Sequence, residues 1–189
     1  EPNEDMRSHG IMASQDAPIT WLNGSAEDTG LPSGCCDIVS MASSFHWPDF
    51  DRACQEFSRI LRPNGRFIAL WNPRLVEVNP LLAEIEQHLH SLAPQLKRVS
   101  SGRSDFTANL TGRLWSSPYW TDVLYVEGRH VEFQTPERYM GLWRSVNDVR
   151  AQLGEEKFAQ FLQFAESRIA GQRHIEATYQ TRAWIARRP

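Results

Sequence analysis

Apolar positions along this chain follow two spacings. Cys36-Asp37-Ile38-Val39-Ser40-Met41-Ala42 holds a compact apolar run, and Phe67-Ile68-Ala69-Leu70-Trp71 forms another. Runs of this length predict buried strands of a parallel sheet. Between them, Ala53, Cys54, Phe57, Ile60 and Leu61 fall on one helical face. Pro63-Asn64-Gly65 then supplies turn chemistry that stops the helix. Strand, helix, tight turn and strand in that order predict a βαβ unit with a parallel sheet.

The flanking segments read in the same way. Asn3 can cap a helix whose first turn holds Glu4 and Asp5, and Pro18 breaks it. Ile19 to Leu22 alternates loosely and predicts a short strand, ended by Asn23-Gly24. Gly30 to Gly34 predicts a loop. Asn79 as cap and Pro80 as first residue open a helix with Leu81, Leu82, Ile85, Leu89 and Leu92 on one face. Residues 97–118 are polar and without period, which predicts a loop or mobile cap. Val123 to Phe133 alternates as a strand does, and Thr135-Pro136-Glu137 opens a helical region. Phe158, Phe161, Leu162, Ala165 and Ile169 form a further helical stripe, Gly171 ends it, and Ala177 to Ala186 predicts a last strand.

Length and composition narrow the class. The 189 residues are 41% hydrophobic and 23% charged, as expected of a globular domain with its own core. A net charge of −3 gives no reason to expect nucleic acid or an anionic membrane as partner. Cys35, Cys36 and Cys54 match no zinc spacing, and we read them as reduced residues of a cytoplasmic protein. No apolar run has the length of a membrane span. The chain begins with Glu1-Pro2 rather than Met, which leads us to expect a fragment or a processed product.

Four segments in order carry a family resemblance: Glu1-Pro2-Asn3-Glu4-Asp5-Met6, Gly24 to Pro32, Cys36 to Trp47, and Phe57 to Phe67. Together they resemble the class I S-adenosylmethionine (SAM)-dependent methyltransferases of the type 11 group. The phrase ending in His46-Trp47 is similar to the branch that includes trans-aconitate methyltransferase. The resemblance implies an α/β fold, a Rossmann-like methyltransferase sheet with helices on both faces and an antiparallel last strand. It also implies that the sheet is incomplete at the N-terminus, with the first two strands missing and with them the glycine-rich cofactor loop. The expected organisation is one incomplete domain. Its core is residues 1–78, 121–134 and 172–189, and its substrate-cap region is 79–120 and 135–171.

The resemblance also assigns residues. Glu1 takes the place of the acid that accepts hydrogen bonds from the cofactor ribose. Met6 matches a side chain that packs on the adenine face, a favourable thioether–aromatic contact. Ser25, Ala26 and Glu27 match the loop that reads the adenine edge, although relatives more often have Asp where this chain has Ser25. Ala42 and Trp47 lie at the strand end that lines the methyl-transfer chamber. His46 is the candidate base, because its ordinary pKa lies near neutrality; the alternative is that it covers the cofactor or packs in the core. Asn72 and Trp143 are the candidate substrate contacts. The cofactor implied is S-adenosyl-L-methionine and the substrate a small molecule, with no metal.

Two consequences follow from the expected truncation. The chain alone should bind SAM poorly, and exposed sheet edges should favour a homodimer. A non-catalytic methyltransferase-like fragment, retained for binding or assembly, is the alternative reading. An NAD-dependent oxidoreductase shares the acid after the second strand, but Leu61 to Gly65 and Phe45-His46-Trp47 argue against it.

Overall fold

A computed structural model describes residues 1–97 and 102–189. It is a mixed α/β structure, with four strands and six α-helices among the described residues. In chain order these are α1 (Glu4–Ala13), β1 (Cys36–Ala42), α2 (Phe50–Ile60), β2 (Leu61–Trp71), α3 (Pro80–Leu92), α4 (Asp105–Ser116), β3 (Thr121–Gln134), α5 (Pro136–Arg144), α6 (Asn147–Ile169) and β4 (Ile175–Arg187). The strands form one open sheet in the order β1-β2-β4-β3. β1 and β2 are parallel, as the βαβ pattern requires. The last strand is antiparallel to β2. The amide of Arg188 donates to the Gly65 carbonyl and that of Gln180 to the Pro73 carbonyl, so numbering falls on one strand as it rises on the other. The chain divides into two compact units: residues 1–70, 109–125 and 184–189, and residues 71–108 and 126–183.

The core of the first unit is aromatic. α2 buries Phe50, Ala53, Cys54, Glu56, Phe57 and Ile60. Phe45 packs against Phe50, Phe57 and Phe67 with ring centroids 5.4, 6.0 and 4.8 Å apart. Phe67 stacks on Trp120 at 5.4 Å. Asp49 caps α2 by accepting from the Arg52 amide at 2.9 Å. The turn Pro63-Asn64-Gly65 does not separate helix from strand as expected. α2 ends at Ile60, and β2 has already begun at Leu61. The three residues form an irregularity inside β2, where the register jumps from Cys36↔Leu61 to Ile38↔Arg66. Asn64 takes a left-handed φ of 63° there. A Cβ on Gly65 would come within 2.9 Å of the Arg62 carbonyl and 3.1 Å of the Asp37 carbonyl, so only glycine fits.

The core of the second unit joins Leu82, Ile85 and Leu89 of α3, Tyr139, Met140 and Trp143 of α5, six residues of α6, and Ile175, Ala177 and Tyr179 of β4. Trp143 meets Phe161 edge-on at 4.7 Å. Asn79 caps α3 as expected: its side chain accepts from the Leu81 amide at 3.0 Å and donates to the Glu176 carbonyl at 2.8 Å. α6 is broken at Gly154, where φ is 73°.

Four further expectations change. The run Cys36 to Ala42 forms a strand as expected but not a buried one: none of its residues is buried and Ile38 is 60% exposed, because among the described residues β1 ends the sheet. Residues 19–22 do not form a strand: they run beside the cleft without joining the sheet, which among the described residues ends at β1. The stretch 97–118 is not all loop. Residues 98–101 lie outside the described ones, but α4 occupies 105–116 and buries Leu110 and Leu114. Its stripe of Phe106, Leu110 and Leu114 is diluted by Thr, Asn, Gly and Arg, which hides the helical period. The alternation in β3 does not mark a buried face, since Leu124, Val126, Val131 and Phe133 are all exposed.

Truncating Phe67 to Ala should cost about 3–5 kcal/mol, the usual range for removing a buried aromatic ring. Urea denaturation followed by far-ultraviolet circular dichroism will measure it, and a loss under 1 kcal/mol would contradict the aromatic core described.

Candidate functional site

The first unit contains a cleft of about 1110 Å³. One wall is β1 itself and its continuation Ser43-Ser44. The others are Glu1, Pro2 and Met6, residues 19–22, and the loop from Gly24 to Leu31. The cleft thus lies along β1 and past its C-terminal end, where open parallel sheets place ligands.

Local chemistry builds each wall. Asn3 caps α1 by accepting from the Met6 amide at 2.9 Å. Arg7 donates to the Glu1 carbonyl at 2.7 Å, folding the first residues over the helix start. The Glu1 carboxylate accepts from the Asn3 amide at 3.0 Å. α1 buries no residue of its own, so its position depends on Trp21. The Trp21 ring lies directly on Gly10, where any Cβ would collide with it, and its indole N–H donates to Ser14 Oγ at 2.9 Å.

The loop from Gly24 closes on itself. The Ser25 amide donates to the Asp28 carbonyl at 2.9 Å, and the Asp28 amide donates to Ser25 Oγ at 3.2 Å. Two carboxylates then tie this loop to α2. Glu27 accepts from the Asp49 amide at 2.9 Å, which holds its carboxyl below the usual carboxylate range. Glu56 accepts from the Thr29 amide at 2.9 Å and the Thr29 hydroxyl at 2.5 Å, and from Arg59 at 2.7 and 2.8 Å. Arg59 reaches on to the Leu31 carbonyl at 2.7 Å and Ser33 Oγ at 3.1 Å. The Arg59 guanidinium and the Thr29 donors hold the Glu56 carboxyl down at about 2.

At the far end of β1, Ser43 turns out of the strand with φ 52° while its amide donates to the Leu70 carbonyl at 2.8 Å. Trp47 projects into the cleft and is 69% exposed.

Glu1, Met6, Ser25, Ala26, Glu27, Ala42 and Trp47 all line this one cleft. His46 does not. Its ring nitrogens are buried, its ring packs on Trp47 with centroids 4.5 Å apart, and burial lowers its pKa. Asn72 and Trp143 belong to the second unit. Asn72 Oδ1 accepts from the Thr181 hydroxyl at 3.0 Å, and Trp143 is fully buried, with the Arg74 guanidinium 5.1 Å from its ring centroid. Sequence reasoning missed the Thr29–Glu56–Arg59 anchor. The signal was an acid inside the apolar stripe of α2, with a basic partner three residues later.

Because the folded-state pKa of Glu56 is depressed, its contribution is full above the ordinary carboxylate pKa of about 4.3 and is lost as pH falls through about 2. Glu56→Gln should cost about 1–3 kcal/mol at pH 7. Between about pH 4.5 and 2 its melting temperature should fall less steeply than that of the parent chain. Parallel slopes in thermal melts across that range would contradict the anchor.

Parts of the chain are similar to known proteins. The methyltransferase domain family matches residues 1–69. An uncharacterized methyltransferase of Mycobacterium tuberculosis is 43% identical over 53 residues, 28% of this chain and 22% of that protein. The mitochondrial 2-methoxy-6-polyprenyl-1,4-benzoquinol methylase of Danio rerio is 30% identical over 106 residues, 53% of this chain and 32% of that protein. The chain therefore spans about a fifth to a third of the length of these curated relatives. Among solved structures, a candidate type II methyltransferase from Anaeromyxobacter dehalogenans shares the fold with a TM-score of 0.68 at 22% identity, covering 99% of this chain and 78% of that one. A candidate methyltransferase from Bacillus halodurans gives a TM-score of 0.51 at 12% identity, covering 99% and 80%. The match to the methyltransferase domain family, over residues 1–69, takes in every residue that lines the cleft.

Proposed function

We propose that this chain is part of a SAM-dependent methyltransferase that acts on a small-molecule acceptor and holds its cofactor in the cleft of the first unit. The carrying observation is that seven residues from three separate segments line one cleft along and beyond a parallel strand. Relatives named for benzoquinol methylation and for ubiquinone/menaquinone biosynthesis support a small-molecule acceptor.

In this reading Glu1 accepts from ribose hydroxyls, and Met6 packs on the adenine face. Ser25 and Ala26 meet the adenine edge. Glu27 acts chiefly through the Asp49 amide that it holds, which sets the shape of the loop. Ala42 and Trp47 border the methyl end. S-adenosylmethionine, when bound, supplies a methyl group already activated on a sulfonium sulfur. The protein's own task is then to align the acceptor for in-line displacement and to exclude water. Trp47 offers a large apolar surface for that exclusion. His46, neutral near pH 7 because burial disfavours its charged form, supports the Trp47 ring and is a positioning residue. In the second unit, Asn72 is exposed and serves as a polar substrate contact held by the Thr181 hydroxyl, and the buried Trp143 serves that unit's core.

β1 ends the sheet among the described residues, and that open edge belongs to the same proposal. Ile38 on that strand is 60% exposed. A cleft open along a strand edge encloses a ligand poorly, so the 189 residues alone should bind SAM weakly. The alternative role in binding or assembly draws on the same open edge.

Calorimetry with S-adenosylhomocysteine tests the proposal on the native gene product that carries this chain. Binding is expected, and Glu1→Gln should weaken it about tenfold, the value of one lost hydrogen bond to a charged group. No binding by the native product would reject the reading. His46→Gln should keep kcat within about threefold and leave the pH–rate profile unmoved, whereas a general base would lose about 10²-fold or more.

A further inference from the structure

Two thiols converge at the start of β1. Cys35 and Cys36 are adjacent, and both are half-buried. Consecutive residues of an extended strand point their side chains to opposite faces, so adjacency by itself keeps two sulfurs apart. Here a turn precedes them. Ser33-Gly34 forms it, Gly34 takes a left-handed φ of 63°, and the strand begins only at Cys36. The Gly34 amide donates to the Arg59 carbonyl at 2.9 Å, which fixes the turn against the end of α2. As the chain leaves the turn, Cys35 Sγ comes to 3.4 Å from Cys36 Sγ. These residues all belong to the first unit, and Cys36 lines its cleft.

The spacing selects what can join the sulfurs. A disulfide needs them about 2.05 Å apart, on Cα atoms usually about 4.4–6.8 Å apart. The Cα atoms of Cys35 and Cys36 are neighbours across a trans peptide, about 3.8 Å apart, so direct closure is strained. A single soft atom held between the two sulfurs avoids that strain, and thiolates are the ligands that soft atoms prefer. Structural zinc takes four ligands, and among the described residues no group of three or more His, Cys, Asp or Glu is placed to hold a metal ion. Trivalent arsenic that carries one organic group needs only two more bonds. Cys54 is not a third partner: it is buried in the core of the first unit, and burial pushes its thiol up to about 11.

We propose that Cys35 and Cys36 are a dithiol site for a trivalent organoarsenical, which they chelate on the wall of the cleft. With an arsine oxide, two arsenic–sulfur bonds form, the arsenic–oxygen bond breaks, and both thiol protons leave in one water. Arsenic stays trivalent, so no oxidant or reductant takes part. Burial and the adjacent Cys35 thiol raise the Cys36 pKa, which this chemistry tolerates because the proton leaves with the oxygen. The site is independent of the methyl-transfer reading. Titration calorimetry of the 189-residue chain with phenylarsine oxide, with intact mass of the adduct, tests it. One arsenical per chain is expected, stripped by excess dithiothreitol and retained in excess glutathione, a monothiol. Cys35→Ser and Cys36→Ser should each weaken binding about 100-fold, as when a second attachment is no longer intramolecular. Cys54→Ser should bind as the parent does. Cys35→Ala and Cys36→Ala repeat the test without the added hydroxyl, and circular dichroism checks that all variants fold. A loss of less than about tenfold in the single variants at Cys35 or Cys36 would overturn the proposal. So would a parent chain that takes up no arsenical, or loss of uptake in Cys54→Ser.

Discussion

The geometry of the cleft depends on one buried carboxylate. Glu56 sits on the apolar face of α2 and accepts four hydrogen bonds, two from Thr29 and two from Arg59. A charged group in such a place is costly unless it is fully paired. Here the pairing also does structural work at a distance. Thr29 closes the loop that begins at Gly24, and Arg59 extends the tie to Leu31 and Ser33. The loop has little apolar content with which to hold itself, so charge-assisted bonds, stronger than neutral ones, replace packing there.

A second tie completes the wall. Glu27 accepts the amide of Asp49, and Asp49 in turn caps α2 through Arg52. The same short helix therefore fixes the loop at both ends, while its apolar side packs on Phe45 and contributes Phe57 and Ile60 to the cleft. Structure and site are shared in one element.

Exposed apolar surface is the other constraint on this chain. α1 buries none of its residues and is held chiefly by Trp21 against Gly10. β1 and β3 are the two sheet edges among the described residues. The two edges differ in chemistry. β1 faces a ligand-sized cleft, whereas β3 leaves Leu124 to Val131 exposed.

Much of the fold was legible in the sequence. The parallel β1–α2–β2 unit, the caps at Asn3 and Asn79, the last antiparallel strand and the membership of seven cleft residues all follow from short-range patterns or from motifs in order. The βαβ unit and the caps depend on residues near one another in the chain, where period, capping chemistry and turn residues act directly; the antiparallel strand and the grouping of cleft residues were legible only through the resemblance that motifs in order carry. The rest needed tertiary structure. Whether Ile19 to Leu22 pairs as a strand depends on a neighbour that no local pattern supplies. The helix over 105–116 takes its stability from the burial of Leu110 and Leu114, not from its own weak period. The alternation from Val123 to Phe133 marks a strand, but which edge β3 occupies, and so which apolar residues stay in water, is decided by sheet order. His46 lies one residue from Trp47 in sequence, yet only packing turned one ring into the cleft and buried the nitrogens of the other. Sequence determines which segments can be helix, strand or turn, because those choices are made within a few residues; burial and pairing belong to the whole chain, and they decided where each side chain ends.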